Sequence, residues 1–532
     1  MTTPWPQPIS PLHLLAASAL VAALPLALLL VLMGVLRKSA YASAASALGA
    51  ALLLALTVWR MPMGLALASA AFGFVYGLWP IMWVVFSALW LYNLASDAGS
   101  FELLRRWMRK HASANICVQA ILVAFCFGAL LEGTAGFGSP VAIAAFLLVA
   151  LGFSARRAVT VALIANTTPV AFGALGIPVV ALAGVTGLDL NKLSAMIGRQ
   201  LPLLSVLLPA YLVLVLAGLK GLREAWPAAL VGGATFALTQ FVVSNFWGPY
   251  AADILASVAS IAGLVLLLRF WRPMVAENSA VAEHEERALS SGEGFRAWLP
   301  WAVLSIVMMG WSYFKLFDKG SLKLAVPHLN HAVFITLYQK PYAAVYAFQP
   351  LAAGTGALLA VLITALLLGV PPRWLVNSGL RTAKQLAAPG LTVGLIVALA
   401  YLYNYSGMTY TLGAALASLG FFFPFASGYL GWLACFMTGS DTSSNLLFGN
   451  LQVAAAHQIG VSPILLAATN SSGAVMGKMI SPQNICIGVT TVGLVGREGE
   501  VLRTTFWHSI LLAGLLSTLA LLQAHALAWM VP

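Results

Sequence analysis

Three charged residues stand alone inside long uncharged stretches, and they are the positions best placed to do chemistry. Counting histidine as neutral, Glu132 follows 21 uncharged residues and precedes 23 more. Asp441 lies between uncharged stretches of 56 and 36 residues, and Lys478 between stretches of 36 and 18. A charge at mid-bilayer costs about 2.5–3.5 kcal/mol on insertion scales, so an ionisable group kept there marks an ion or substrate path. Glu132 and Asp441 are therefore read as candidate proton carriers. Lys478 is read as a cation for an anionic substrate, or as a fixed counter-charge to Asp441 or Glu132. The plainer alternatives are a helix-end carboxylate, which suits Asp441 better than Glu132, and a lysine that snorkels to the interface.

The neighbours of these residues form two matching sets. Residues 130–140 read LLEGTAGFGSP and 166–178 read NTTPVAFGALGIP. Residues 438–445 read TGSDTSSN and 470–482 read NSSGAVMGKMISP. Asn166, Thr167, Thr168, Gly173 and Pro178 recur as Asn470, Ser471, Ser472, Gly477 and Pro482, each displaced by 304 positions. Gly133 matches Gly439 at a displacement of 306, so Ala135, not Glu132, corresponds to Asp441. A constant offset over several positions indicates a duplicated unit. Gly133, Gly136, Gly138 and Pro140 crowd around Glu132 and should break a helix. Broken backbone at membrane depth survives only where it is buried in protein or lines a watery cavity. Paired interruptions at matching repeat positions point to a transporter's substrate site. Gly133, Thr134, Gly136, Ser440, Thr442, Ser443 and Asn445 thus join the candidate substrate-binding set. Asn166, Thr167, Thr168, Asn470, Ser471 and Ser472 should sit at broken-helix amino ends, where N–H groups and the helix dipole favour a small carboxylate.

The elements that carry these residues must be membrane helices. The chain has 532 residues, 61% hydrophobic and 8% charged, whereas soluble domains carry about 25% charged residues. Uncharged stretches such as 12–36, 39–59, 112–131 and 504–532 each meet the roughly 20 residues a helix needs to cross a bilayer. Their continuity excludes the alternating pattern of a membrane barrel. The expected fold is an all-α polytopic membrane protein with about 12–14 transmembrane helices. These form two inverted repeats, each with an interrupted or re-entrant helical hairpin. The first half spans 1–270, a polar linker 271–297 and the second half 298–532. The first apolar run has no basic residue before it and is too long for a signal peptide, so it is expected to persist as the first helix.

A net charge of +12 does not imply nucleic-acid binding. Arg37 and Lys38, Arg105 and Arg106, Arg109 and Lys110, and Arg156 and Arg157 cluster between apolar runs, as the positive-inside rule describes. Arg156 and Arg157 follow the first motif set, whereas the corresponding positions 459–463 lack basic residues. That asymmetry puts the two on opposite sides of the membrane and favours an inverted repeat. Cys117, Cys126, Cys435 and Cys486 lack CxxC spacing and read as small apolar residues. His328 and His331 lie in a polar interval expected to be a loop, with no third ligand for a metal. His457, His508 and His525 are candidate proton relays whose plainer reading is packing or interfacial anchoring. No cofactor is implied.

With these motifs in view, the chain resembles the L-lactate permease family, bacterial symporters of lactate and glycolate with protons. The resemblance rests on EGTAGFGSP at 132–140, NTTPVAFGALGIP at 166–178, GRQLP at 198–202, TGSDTSSN at 438–445 and GKMISPQ at 477–483. Thr134, Ser139 and Asn484 are small departures that leave the motif acids and Lys478 in place. The family implies a multi-pass protein of the bacterial cytoplasmic (inner) membrane. It also implies proton-coupled uptake of 2-hydroxymonocarboxylates, L-lactate with D-lactate and glycolate. The expected partners are the monocarboxylate, the proton and the lipid bilayer. Competing classes are an anion channel, a sodium-coupled carboxylate transporter using unwound carbonyls, and an intramembrane enzyme. The last lacks a His–Glu metal motif and a G-x-S-x-G turn.

Overall fold

The computed structural model describes residues 4–36, 38–111, 115–134, 136, 139–273, 290–316 and 319–532. Most of the expected polar linker, with Glu277, Glu283, Glu285 and Glu286, lies outside the described residues, as do Arg37, Ala135 and Gly138.

The molecule is built of apolar helices, as the composition requires. Among the described residues nine helices are long and apolar enough to cross a membrane, ten if one bent pair counts as a span. The bent pair is Ala155–Ala165 with Val170–Thr186, at 67°. The expectation of about 12–14 crossings counts apolar length, and several of these helical stretches are longer than one bilayer needs and are broken within their span. Leu190–Phe246 runs for 57 residues and is kinked at Gly218, with φ 65° and ψ −162°. Its two arms fold back on each other, with Ser194 Oγ donating to the Ser244 carbonyl at 2.8 Å, so the stretch is a helical hairpin long enough for two crossings of about 30 Å of hydrocarbon. Met408–Thr438 covers 31 residues and is interrupted at Gly420. Pro140–Ala150 and Ala353–Leu368 are shorter apolar helices.

The polar interval near 315–340, expected as a plain loop, carries short strands. Leu322–Ala325 pairs antiparallel with Val345–Phe348. Val333–Ile335 pairs antiparallel with Lys340–Pro341 and parallel with Trp5–Pro6 near the amino end. Gln7 then donates through Nε2 to the carbonyls of Asn404 and Tyr405, both at 2.8 Å. This strap satisfies carbonyls freed where the Ala387–Ser406 helix ends before Gly407.

The site is positioned chiefly by Phe423–Thr438 crossing Pro463–Lys478. Small residues set how closely they approach. A Cβ on Gly431 would stand 2.0 Å from the Asn470 carbonyl oxygen, and one on Gly473 2.1 Å from that of Gly428. Membrane helices gain little from apolar burial against each other, so close backbone packing through small residues carries the contact.

Candidate functional site

In the first half, the Gly128–Thr134 helix ends just past Glu132, and a new helix begins at Ser139. The Ala155–Ala165 helix stops at Asn166, and the backbone does not settle into a right-handed helix until past Gly176. Ala174, Leu175 and Gly176 have φ of 44°, 61° and 71°, a left-handed turn that costs energy at the two non-glycine residues. In the second half, Phe423–Thr438 ends at Gly439, and Asp441–Ile459 begins after the cap residue Ser440. Ser440 Oγ accepts from the Ser443 N–H at 3.2 Å. Pro463–Lys478 ends at Lys478, and Ser481 caps the following helix, Pro482–Thr491.

These breaks face one another across a cavity of about 70 Å³. Its wall combines Glu132, Gly136, Val170, Gly173, Ala174, Ile177 and Pro178 from the first half with Gly439, Ser440, Asp441, Thr442 and Lys478 from the second. That is room for several water-sized groups. Lys478 Nζ donates to Glu132 Oε1 at 2.7 Å, with the two side chains 7% and 4% exposed. Asn166 Nδ2 donates to Glu132 Oε2 at 2.9 Å. The carboxylate lies hard against the left-handed turn, since a Cβ on Gly173 would stand 2.7 Å from Glu132 Oε1. Asp441 Oδ2 accepts from Ser471 Oγ at 2.8 Å. Its Oδ1 has no hydrogen-bond partner among the described residues.

A second layer holds these groups. Asn445 Nδ2 donates to Ser471 Oγ at 3.0 Å and to the Pro178 carbonyl at 3.1 Å, tying the halves together. Asn470 Nδ2 donates to Asn445 Oδ1 at 3.0 Å, and Gln452 Nε2 to Asn470 Oδ1 at 3.2 Å. Asn484 Nδ2 donates to Ser481 Oγ at 2.7 Å and to the Gly439 carbonyl at 3.2 Å, joining the two breaks of the second half.

Of the expected site residues, Glu132, Gly136, Ser440, Asp441, Thr442 and Lys478 line the cavity. Asn166, Ser471, Asn445 and Asn470 support it through hydrogen bonds. Others turn elsewhere. Thr134 Oγ1 donates to the Leu130 carbonyl at 2.9 Å, and Thr167 Oγ1 to that of Ile164 at 2.8 Å. Gly133 backs onto Asp253 and Ile254. Ser443 contributes its capped N–H, while the hydroxyls of Thr168 and Ser472 have no partner among the described residues. Two local expectations are corrected: Asn166 stands at the carboxyl end of the Ala155–Ala165 helix, with Thr167 and Thr168 in the turn after it, and not at a helix amino end. Asn470, Ser471 and Ser472 lie inside the continuous Pro463–Lys478 helix, not at a broken amino end. No proline or left-handed residue interrupts that helix, and the break falls instead just before Pro482. His508 bonds Tyr211, His457 packs on Tyr338 and His525 on Phe421, so none of the three lines the cavity.

Sequence reasoning missed Asp253, which is 1% exposed and accepts from Gln240 Nε2 at 2.9 Å. The signal was present: 28 uncharged residues precede it and 15 follow.

Fold and site together define a multi-pass helical membrane protein whose buried charges meet in a small cavity between helix ends. The profile of the L-lactate permease family matches residues 18–527, and the chain belongs to that family. It is 42% identical to the glycolate permease GlcA of Escherichia coli (strain K12), with 99% of each chain covered. It is 40% identical to an L-lactate permease of Salmonella typhimurium, covering 99% of this chain and 100% of the relative. An L-lactate permease of Bacillus subtilis is 39% identical, again over 99% and 100%. Among solved structures it is similar to the Alcanivorax borkumensis YdaH transporter, at TM-score 0.46 and 17% identity, covering 84% of this chain and 86% of that one. Neisseria gonorrhoeae MtrF gives TM-score 0.46 and 14% identity, with 87% and 83% covered. The chain is thus a permease of the bacterial inner membrane and not an enzyme.

Proposed function

We propose that this permease takes up L-lactate, and with it D-lactate and glycolate, by symport with a proton. The supporting observation is the Lys478–Glu132 ion pair in the cavity wall. Removing one partner of a buried pair leaves an uncompensated charge and costs about 3–5 kcal/mol. Lys478 can therefore turn to a substrate carboxylate only if Glu132 is neutralised as it leaves. A proton on Glu132 and a carboxylate on Lys478 conserve the charge of the cavity. Neither event alone does so, and that is the origin of coupling. The N–H groups at the start of the Asp441–Ile459 helix offer the substrate carboxylate further donors. The hydroxyls of Ser440 and Thr442 are suited to a 2-hydroxyl group. Asp441 is the second candidate proton carrier. The family membership and the relatives named L-lactate and glycolate permeases support the substrate class.

The test is Glu132→Gln in reconstituted vesicles. Lactate accumulation driven by a pH gradient should be abolished, while lactate–lactate exchange persists in part. Normal accumulation would remove Glu132 from coupling. Flux that fails to saturate and never runs uphill in the wild type would indicate an anion channel instead.

A further inference from the structure

Among the described residues the buried charged side chains are Glu132, Asp253, Asp441 and Lys478. Three acids thus share one cation, and that cation is bonded to Glu132. Asp253 opens the Ala252–Phe270 helix. It has no lysine or arginine within ion-pair distance among the described residues. Its Oδ1 accepts from Gln240 Nε2 at 2.9 Å, and Gln240 Oε1 in turn accepts from Ser205 Oγ at 3.2 Å. Its Oδ2 is buried with no partner among the described residues. A carboxylate buried with one neutral donor is expensive, whereas the carboxylic acid is not. A helix start alone would not account for this residue, since the partial charge there does not fill the vacant oxygen.

Its position supplies the rest. Asp253 is not part of the cavity wall. It lies behind that wall, where a Cβ on Gly133 would stand 3.1 Å from Asp253 Cβ. Gly133 is the residue next to Glu132, so its lack of a side chain lets Asp253 approach the helix that carries the pairing acid, one residue away from it. Gln240 Nε2 also reaches the Thr168 carbonyl, at 3.5 Å, beside the break that carries Asn166. Few other titratable groups face Asp253. The Gly128–Thr134 helix offers only Glu132, the Gly173–Thr186 helix offers none, and the Leu190–Phe246 helix, which carries Gln240, has no buried charged side chain. Tyr250 lies in the preceding turn. Cys126 is engaged with Ser260, about two turns further along.

Building on the proton-symport reading, we propose that Asp253 is a proton-holding residue that exchanges its proton with Glu132 from the side opposite the substrate. In the forward step the O–H bond at Asp253 breaks and one forms at the Glu132 carboxylate. Glu132 becomes neutral and releases Lys478, and Asp253 is left ionised until a proton from the aqueous side returns to it. No other reactant is consumed.

The experiment uses full-length protein in vesicles, comparing wild type, Asp253→Asn and Asp253→Glu. Asparagine keeps the acceptor for Gln240 but cannot exchange a proton. It should lower pH-driven lactate uptake by roughly 100-fold, the low end of what a positioned acid–base group contributes. Lactate–lactate exchange should stay within about twofold, well under the tenfold that 1.4 kcal/mol represents. Asp253→Glu should restore part of the driven uptake with a displaced pH profile. If Asp253→Asn fails to fold, Gln240→Met, which retains the acid but removes its donor, should still displace the pH profile of uptake. A wild-type pH profile and coupling ratio in Asp253→Asn, or in Gln240→Met where that variant is needed, would overturn the assignment. So would uptake that runs on a sodium gradient and loses its sodium dependence in Asp253→Asn, since a metal cation would then occupy the vacant oxygen. If the wild type moves no protons with lactate, the symport reading itself fails. If the wild type is coupled and the variant equally so, only the role of Asp253 fails.

Discussion

Lys478 and Glu132 meet although 346 residues separate them in the chain. The sequence marks both as lone charges in apolar surroundings but leaves Lys478 with three partners to choose from: Glu132, Asp441 or a bound anion. The choice follows from where the breaks place each carboxylate. Glu132 is drawn against Gly173 and held by Asn166, with one oxygen turned to Lys478. Asp441 is turned to Ser471. Lys478→Ala should weaken lactate binding by about 10- to 100-fold, the loss of a charged hydrogen bond worth about 1.5–3 kcal/mol. Calorimetric titration of detergent-solubilised protein measures it, and unchanged affinity would reduce Lys478 to a structural partner of Glu132. Asp253 carries the same sequence signal as Glu132. No motif surrounds it, however, and neither of the two matching motif sets includes it, so only proximity to Gly133 brings it into view.

At the scale of elements, breaks could be read from glycine, proline and hydroxyl clusters near 132–140 and 438–441, because those residues fail locally as helix formers. The 470–472 segment shows the limit of that reading. Its residues match the broken 166–168 segment, yet they continue a helix, in which Asn470 and Ser471 find partners on a neighbouring helix. Asn470 bonds Asn445 and Ser471 bonds Asp441. The glycines around them serve packing. Gly477 as well as Gly473 faces a carbonyl of the Phe423–Thr438 helix, with a Cβ falling 2.2 Å from that of Trp432. Gly473→Ala should therefore push the two helices apart and destabilise the protein by about 1–3 kcal/mol, the usual cost of overpacking. A lower midpoint of thermal unfolding in detergent is expected. An unchanged midpoint would show that this crossing is looser than its geometry indicates.

For the whole molecule, the decisive quantity is charge balance. One substrate anion entering with one proton is electroneutral, so a membrane potential has no net charge to act on. A potassium diffusion potential of either sign, imposed at equal pH on both faces, should leave initial lactate uptake unchanged. A pH gradient of matched driving force should raise it severalfold. Uptake that follows the potential would mean a stoichiometry other than one to one.

The amino-acid sequence alone determined that the chain spans a membrane repeatedly as helices, because 8% charged residues cannot clothe a water-soluble surface. It also singled out the few charges and broken segments worth watching, since each is costly in lipid and survives only with compensation. Tertiary structure decided which of those costs offset one another. Pairing Glu132 with Lys478, leaving Asp441 to Ser471, and setting Asp253 behind Gly133 all depend on how distant helices cross. Such contacts depend on packing between elements that local residue preferences do not encode.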